Sequence, residues 1–284
     1  KAVEALERTM AVIAGPGTGK TKTLISRIQY LMERRKVKPS EITAVTFTNK
    51  AALEMRQRLQ SQLGSRRSLK NMHIGTFHEI CIELLQKQGL EFTIADEMQT
   101  RELAEELIGE YGLNLNVKQF QSSLSLIKNR QEHRIPKGES LPEACVRQYQ
   151  DRLGSLKALD FDDILTETIR LLKDDPKVKG KSFSYLFVDE FQDINPVQYE
   201  LMELWNQGGR ELFVIGDPEQ SIYGFRGSDA ACFENLQKDY PETRVIRLEE
   251  NYRSVSSVVD SALAVISQNP GQERKLHAVK GDGE

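Results

Sequence analysis

The chain has 284 residues, 39% hydrophobic and 29% charged, with a net charge of −3. This is the composition of an ordinary folded protein with room for two domains, which excludes a disordered or fibrous chain. No apolar run approaches the length of a membrane-spanning helix, so no membrane partner is expected.

Met10–Ala14 is the first strand-like run, and it leads into Ala14-Gly-Pro-Gly-Thr-Gly-Lys-Thr21 and a helical pattern. A glycine-rich turn between strand and helix lets backbone N–H groups close around phosphate oxygens. Lys20 can then reach the β and γ phosphates, and Thr21 can offer its hydroxyl to Mg²⁺. The usual pattern begins with Gly where this chain has Ala14. Strand-like segments recur at 42–47 and 72–75. From about 91 to 158 the strand signal disappears, and amphipathic helices are predicted over Thr100–Tyr111, Val117–Arg130 and Pro142–Ala158, punctuated by Asn114, Pro136, Gly138 and Pro142.

Asp160-Phe-Asp-Asp163 is acidic enough to suggest a metal site. It is better read as a helix start in which Asp160 or Asp162 caps the helix, with Arg170 as the matching charge. Strand signals return at 185–189, 211–216 and 244–248, and a last helix is predicted over Ser254–Ser267. Tyr185-Leu-Phe-Val-Asp-Glu190 places Asp189 at a strand end, where it can hold the same Mg²⁺, with Glu190 beside it to activate a water. The strand–helix rhythm indicates an α/β fold with a parallel sheet, ligand loops at the carboxyl ends of the strands, and a helical insertion.

Charge is unevenly spread. Residues 22–70 carry twelve Lys or Arg against Glu33, Glu41 and Glu54, whereas residues 91–110 carry seven acids against Arg101. A polyanion would favour the first region, so part of it is expected to touch nucleic acid. Cys81, Cys145 and Cys232 lie far apart with no C-x-x-C spacing, which argues against disulfides or zinc and makes the cytoplasm the expected location. The sequence opens on Lys1, and a fragment of a longer protein is expected.

Five further segments carry a resemblance: Thr46-Phe-Thr-Asn-Lys-Ala-Ala52, Gly75-Thr-Phe-His78, Val188-Asp-Glu-Phe-Gln-Asp193, Gly216-Asp-Pro-Glu-Gln-Ser-Ile-Tyr-Gly-Phe-Arg-Gly227 and Glu250-Asn-Tyr-Arg-Ser254. In order and spacing the chain resembles the UvrD/Rep/PcrA helicases of superfamily 1 over essentially its whole length. The resemblance implies an ATP- and Mg²⁺-dependent motor moving 3′ to 5′ along single-stranded DNA. It would act at single-strand/duplex junctions, with repair or replication proteins as possible partners. It also implies two RecA-like domains: the first over 1–90 and 159–247, interrupted by a helical insertion over 91–158, and the beginning of the second over 248–284.

By the same resemblance, Gly15, Pro16, Gly17, Thr18, Gly19, Lys20 and Thr21 form the phosphate loop, and Asp189 with Thr21 holds the metal. Glu190 activates water, Gln220 senses the γ-phosphate, Gln192 couples the ATP and DNA sites, and Arg253 acts as an arginine finger. Tyr252 would pack on adenine, with Lys22 opposite it where many relatives have Arg. Phe47, Tyr223 and Phe225 would meet DNA bases, Phe225 standing where many relatives have Trp. Asn49, Thr76, His78 and Arg226 would hold DNA phosphates or shape the groove. Two alternatives share these motifs: the motor subunit of a helicase–nuclease, and a nucleotide-binding regulatory module that does not unwind DNA.

Overall fold

A computed structural model of the chain describes residues 1–64, 69–221, 231–268 and 275–282. In chain order the main elements are β1 (Thr9–Ala14), α1 (Lys20–Glu33), β2 (Ile42–Thr46), α2 (Asn49–Leu63), β3 (His73–Thr76), α3 (Phe77–Lys87), β4 (Thr93–Ile94), α4 (Glu97–Glu110), α5 (Val117–Lys128) and α6 (Glu143–Ser155). They continue with β5 (Ala158–Leu159), α7 (Phe161–Asp174), β6 (Tyr185–Val188), α8 (Pro196–Asn206), β7 (Glu211–Gly216), α9 (Cys232–Asp239), β8 (Arg244–Leu248), β9 (Glu250–Asn251), α10 (Ser256–Ile266) and β10 (His277–Ala278). Two compact units result, one of residues 1–76, 180–194 and 205–284, the other of 77–179 and 195–204.

The first unit is built on a six-stranded sheet of order β3-β2-β6-β7-β1-β8. Every neighbouring pair is parallel. Strands β2 and β7 are buried at every position, as fits short apolar runs covered on both faces. Edge strand β8 is only partly covered and exposes Arg244 and Arg247, charges that discourage pairing with another chain. Helix α1 covers the sheet with Leu24, Ile25, Ile28 and Leu31.

Arg27, on the same helix, is also buried. It donates to both carboxylate oxygens of Glu211 at 2.9 and 2.7 Å and to the carbonyls of Val3 and Ala5, each at 2.7 Å. Counting Arg27 among the polyanion-facing bases is therefore corrected: its charge is spent inside the fold, tying the amino-terminal segment to the start of β7.

The second unit is mainly helical. Leu103, Ala104 and Leu107 of α4 join Phe120 and Leu124 of α5 and Tyr149 and Leu153 of α6 in one apolar cluster. Reciprocal caps start the helices: Asp96 with Gln99 at α4 and Asn116 with Gln119 at α5. The first cap begins α4 at Glu97, ahead of the expected Thr100. Within the stretch read as strand-free, Thr93–Ile94 pairs in parallel with Ala158–Leu159, a two-residue ladder too short to leave a periodic signal.

Asp160 does cap α7, accepting from the backbone of Asp163 at 2.9 Å. Arg170 is not its partner; that side chain pairs with Glu167 three residues away, because Arg170 lies too far along the helix to serve its first turn. Lys128 serves instead. Its ammonium group, on a side chain 2% exposed, sits 2.6 Å from Asp160 and 2.7 Å from Asp163 and lies over the Tyr149 ring. Burial pushes the Asp163 carboxyl up to about 6, against the opposing pull of Lys128. Replacing Lys128 with Met leaves one buried and one half-buried carboxylate without their cation and is expected to destabilise the helical unit by about 3–5 kcal/mol in urea unfolding. The deficit should shrink as pH falls towards about 6, because without Lys128 the Asp163 carboxyl takes up its proton at a higher pH than in the wild type. A change below 1 kcal/mol, roughly the worth of an exposed pair, would contradict this reading.

Candidate active site

The site assembles in the sheet unit, at the carboxyl ends of its strands. Strand β1 ends at Ala14, which is fully buried in the apolar core and has no positive φ, so the departure from glycine costs nothing there. Gly17 and Gly19 do adopt positive φ, 72° and 86°, a region that an L side chain enters at a cost. Thr18 closes the loop, its hydroxyl donating to the Gly15 carbonyl at 2.7 Å. Gly19 is the residue before α1, and no side chain caps that helix. Its first N–H groups and the positive end of its dipole are thus available to an anion.

Strand β6 delivers Asp189 and Glu190. The Asp189 backbone N–H donates to Val45 of β2 at 2.9 Å, which holds its buried carboxyl at the strand end. Burial and then the neighbouring Glu190 push that carboxyl up to about 7, with Lys20 opposing. Glu190 stands at φ 48° and ψ 47°, a left-handed conformation that costs a residue with a side chain about 1–3 kcal/mol. Its carboxylate lies 3.8 Å from the Lys20 ammonium. One lysine therefore faces two adjacent carboxylates, an arrangement in which a divalent cation bound with a polyphosphate would restore the balance of charge.

Gln192, 2% exposed, links these acids to strand β7. Its amide nitrogen donates to Glu190 at 2.9 Å and to Asp193 at 3.3 Å, while its amide oxygen accepts from the Asp217 backbone N–H at 2.9 Å. Asp217 in turn accepts from the Gln220 side chain at 2.5 Å. The close approach depends on Gly216, where an added Cβ would fall 2.3 Å from the Gln192 oxygen and 2.9 Å from the Phe191 nitrogen.

A cleft of about 500 Å³ brings Lys20, Thr21, Glu190, Gln220 and Arg253 together on the loop glycines, and Lys22 and Tyr252 line it as well. Glu54 and Arg58 of α2 also line it, paired with each other at 3.7 Å. Sequence reasoning missed both, because the motif around 46–52 ends before them. A second recess of about 690 Å³ runs from Gly17, Lys22 and Tyr252 past Thr23 and Ser26 to Arg247 and Glu249. Lys22 and Tyr252 thus border both spaces, as a pair flanking a base would. The Tyr252 hydroxyl donates to Glu250.

Of the residues expected to meet DNA, Phe47, Asn49 and Thr76 lie in the sheet unit. The pairing of Thr46 with Thr76 places them at the same carboxyl edge of β2 and β3. Thr48 caps α2, accepting from Ala51 at 3.1 Å, so Asn49 is the first residue of that helix. His78 belongs to the helical unit. Its ring meets Phe161 edge-on at 5.5 Å, and burial lowers its pKa against the opposing Asp162. Tyr223, Phe225 and Arg226 lie outside the described residues, as do Arg66 and Arg67 of the basic region.

Gly216→Ala is expected to displace Gln192 and cost about 1–3 kcal/mol in denaturant unfolding, because the obstructing atoms include backbone as well as side chain. Unchanged stability would show that the β6–β7 loops do not need their close approach.

Residues 1–241 match the UvrD/REP helicase N-terminal domain family. The whole chain is 34% identical to the ATP-dependent DNA helicase PcrA of Leuconostoc citreum and spans 40% of that protein. Over 97% of its length it is 35% identical to the ATP-dependent DNA helicase PcrA of Staphylococcus aureus, covering 40% of it. Over the same share it is 37% identical to the ATP-dependent DNA helicase UvrD1 of Mycobacterium bovis, covering 39%. The chain thus spans about two fifths of the length of these relatives.

Proposed function

Since the chain belongs to the UvrD/REP helicase N-terminal domain family, we propose that it is the ATP-binding part of a DNA helicase that moves 3′ to 5′ along single-stranded DNA and works at junctions with duplex. In this reading, residues 1–90 and 159–247 form the first RecA-like domain, 91–158 its insertion, and 248–284 the start of the second. What carries the proposal is the convergence of Lys20, Glu190, Gln220 and Arg253 on one cleft beside an uncapped helix terminus.

ATP with Mg²⁺, when bound, supplies the phosphoryl group and the charge that neutralises its oxygens. The N–H groups from Gly17 to Thr21 and the Lys20 ammonium hold the phosphates, and Thr21 and Asp189 hold the metal. Glu190 takes the proton of a water aligned with the terminal phosphate. Its left-handed backbone and the bond from Gln192 fix the carboxylate in one place, so little reorganisation accompanies the transfer. Arg253 offsets charge on the terminal phosphate from the facing wall. Gln192 touches both Glu190 and the β7 loop leading to Gln220, a route by which the phosphate's state could reach the strand edge carrying Phe47 and Thr76.

The test is ATP turnover and ATP affinity with and without oligo-dT. Lys20→Ala should abolish ATP binding. Glu190→Gln should bind ATP nearly as wild type yet turn it over about 10²–10⁴-fold more slowly. Wild-type turnover in Glu190→Gln would remove the general base from this account. For the DNA face, Phe47→Ala should weaken oligo-dT binding by about 1–3 kcal/mol in fluorescence anisotropy without altering the salt slope, because a base stack and not a phosphate contact is lost. Unchanged affinity would assign Phe47 to packing alone.

A further inference from the structure

Asn251 is 2% exposed although the next two residues, Tyr252 and Arg253, are exposed. Its side-chain nitrogen donates to the Pro16 carbonyl at 2.7 Å. Its side-chain oxygen accepts from the backbone N–H groups of Arg253 at 2.8 Å and Ser254 at 2.7 Å. These partners fix the amide's orientation, since the reverse would set the NH₂ group against two donors and the oxygen against a carbonyl. A backbone bond runs alongside, from Tyr252 N–H to the Gly17 carbonyl at 2.9 Å. The fit is tight: a Cβ on Gly17 would lie 2.7 Å from the Arg253 Cβ and 2.8 and 2.9 Å from the two Asn251 amide atoms.

The phosphate loop and the turn carrying Arg253 are therefore joined by one short side chain using a donor on one and an acceptor on the other. Asp can supply only the acceptor, and would set its charge against the Pro16 carbonyl. Ala supplies neither.

We propose that Asn251 is a positioning residue that ties the backbone of Arg253 to the phosphate loop, and that this tie sets the preference for a nucleoside triphosphate over a diphosphate. The proposal rests on the reading above that Arg253 meets the terminal phosphate. Only the triphosphate carries a group for Arg253 to meet. A turn already fixed on the loop presents that arginine without an ordering cost at binding, whereas a released turn must be ordered each time.

The experiment measures calorimetric affinities for Mg·ADP and for the Mg-bound β,γ-imido analogue of ATP, so no turnover is needed. It compares wild type, Arg253→Ala, Asn251→Ala, Asn251→Asp and the double variant Asn251→Ala/Arg253→Ala, with thermal melting as the check of folding. Arg253→Ala and Asn251→Ala should each reduce the analogue-to-ADP affinity ratio by about tenfold or more, and the double variant should lose no more than either alone, because both remove one interaction. Asn251→Asp keeps the two bonds within the Arg253 turn but loses the one to the Pro16 carbonyl, so the tie is cut and the ratio should fall as in Asn251→Ala.

A wild-type ratio in folded Asn251→Ala, or losses that multiply in the double variant, would overturn the proposal. If Asn251→Ala does not fold, a wild-type ratio in folded Asn251→Asp overturns it just as well. An unchanged ratio in Arg253→Ala alone overturns the arginine assignment itself, and the proposal with it, so the two failures are told apart.

Discussion

All six strands of the sheet run in one direction, and the placement of every candidate residue in that unit depends on this. Parallel strands send their carboxyl ends to one edge, and each chain reversal there is a loop free to carry chemistry. The loop after β1 brings the phosphate glycines, and that after β2 brings Phe47 and Asn49. Those after β6 and β7 bring Asp189, Glu190, Gln192 and Gln220, and β9 with the turn that follows it, just beyond β8, brings Asn251 and Arg253. With β1 hydrogen-bonded between β7 and β8, the phosphate loop is flanked by the Asp217–Gln220 loop on one side and the Arg253 turn on the other. An antiparallel strand at either position would have sent its loop to the opposite edge.

On this scaffold the polar contacts are sparse and specific. Glu190 is held in a left-handed conformation, and Gln192 is buried against a glycine that admits no side chain. Asn251 spans two loops with one amide. Each arrangement costs backbone strain or side-chain entropy that the buried strands around it must offset.

Most strands of the six-stranded sheet were legible because they are short, largely apolar runs, the pattern of strands covered on both faces, whereas the two-residue β4 and β5 left no periodic signal. The helical stretch was legible from its amphipathic period. Its starts were less so, because at α4 the cap pair Asp96 and Gln99 lies ahead of the apolar positions that reveal the period. Contacts between distant residues were not legible at all. Arg27 reads as one more surface base until Glu211, 184 positions away, is found beside it, and Lys128 reads as a helix-end lysine until α7 brings two aspartates to it. Asn251 and Pro16 are 235 positions apart; only the pairing of β1 with β8 makes them neighbours. The glycines of the loop announced themselves through spacing, whereas Gly216 matters for a clash that spacing does not encode.

The central claim, that the uncapped start of α1 and the facing acids form one nucleotide site, is tested most directly by a crystal structure of this chain with Mg²⁺ and the β,γ-imido analogue of ATP. The account predicts the phosphates on the N–H groups of residues 17–21 and on Lys20, the metal between Thr21 and Asp189, and the base near Tyr252. Phosphates bound away from that helix terminus, or a metal held without Asp189, would contradict it.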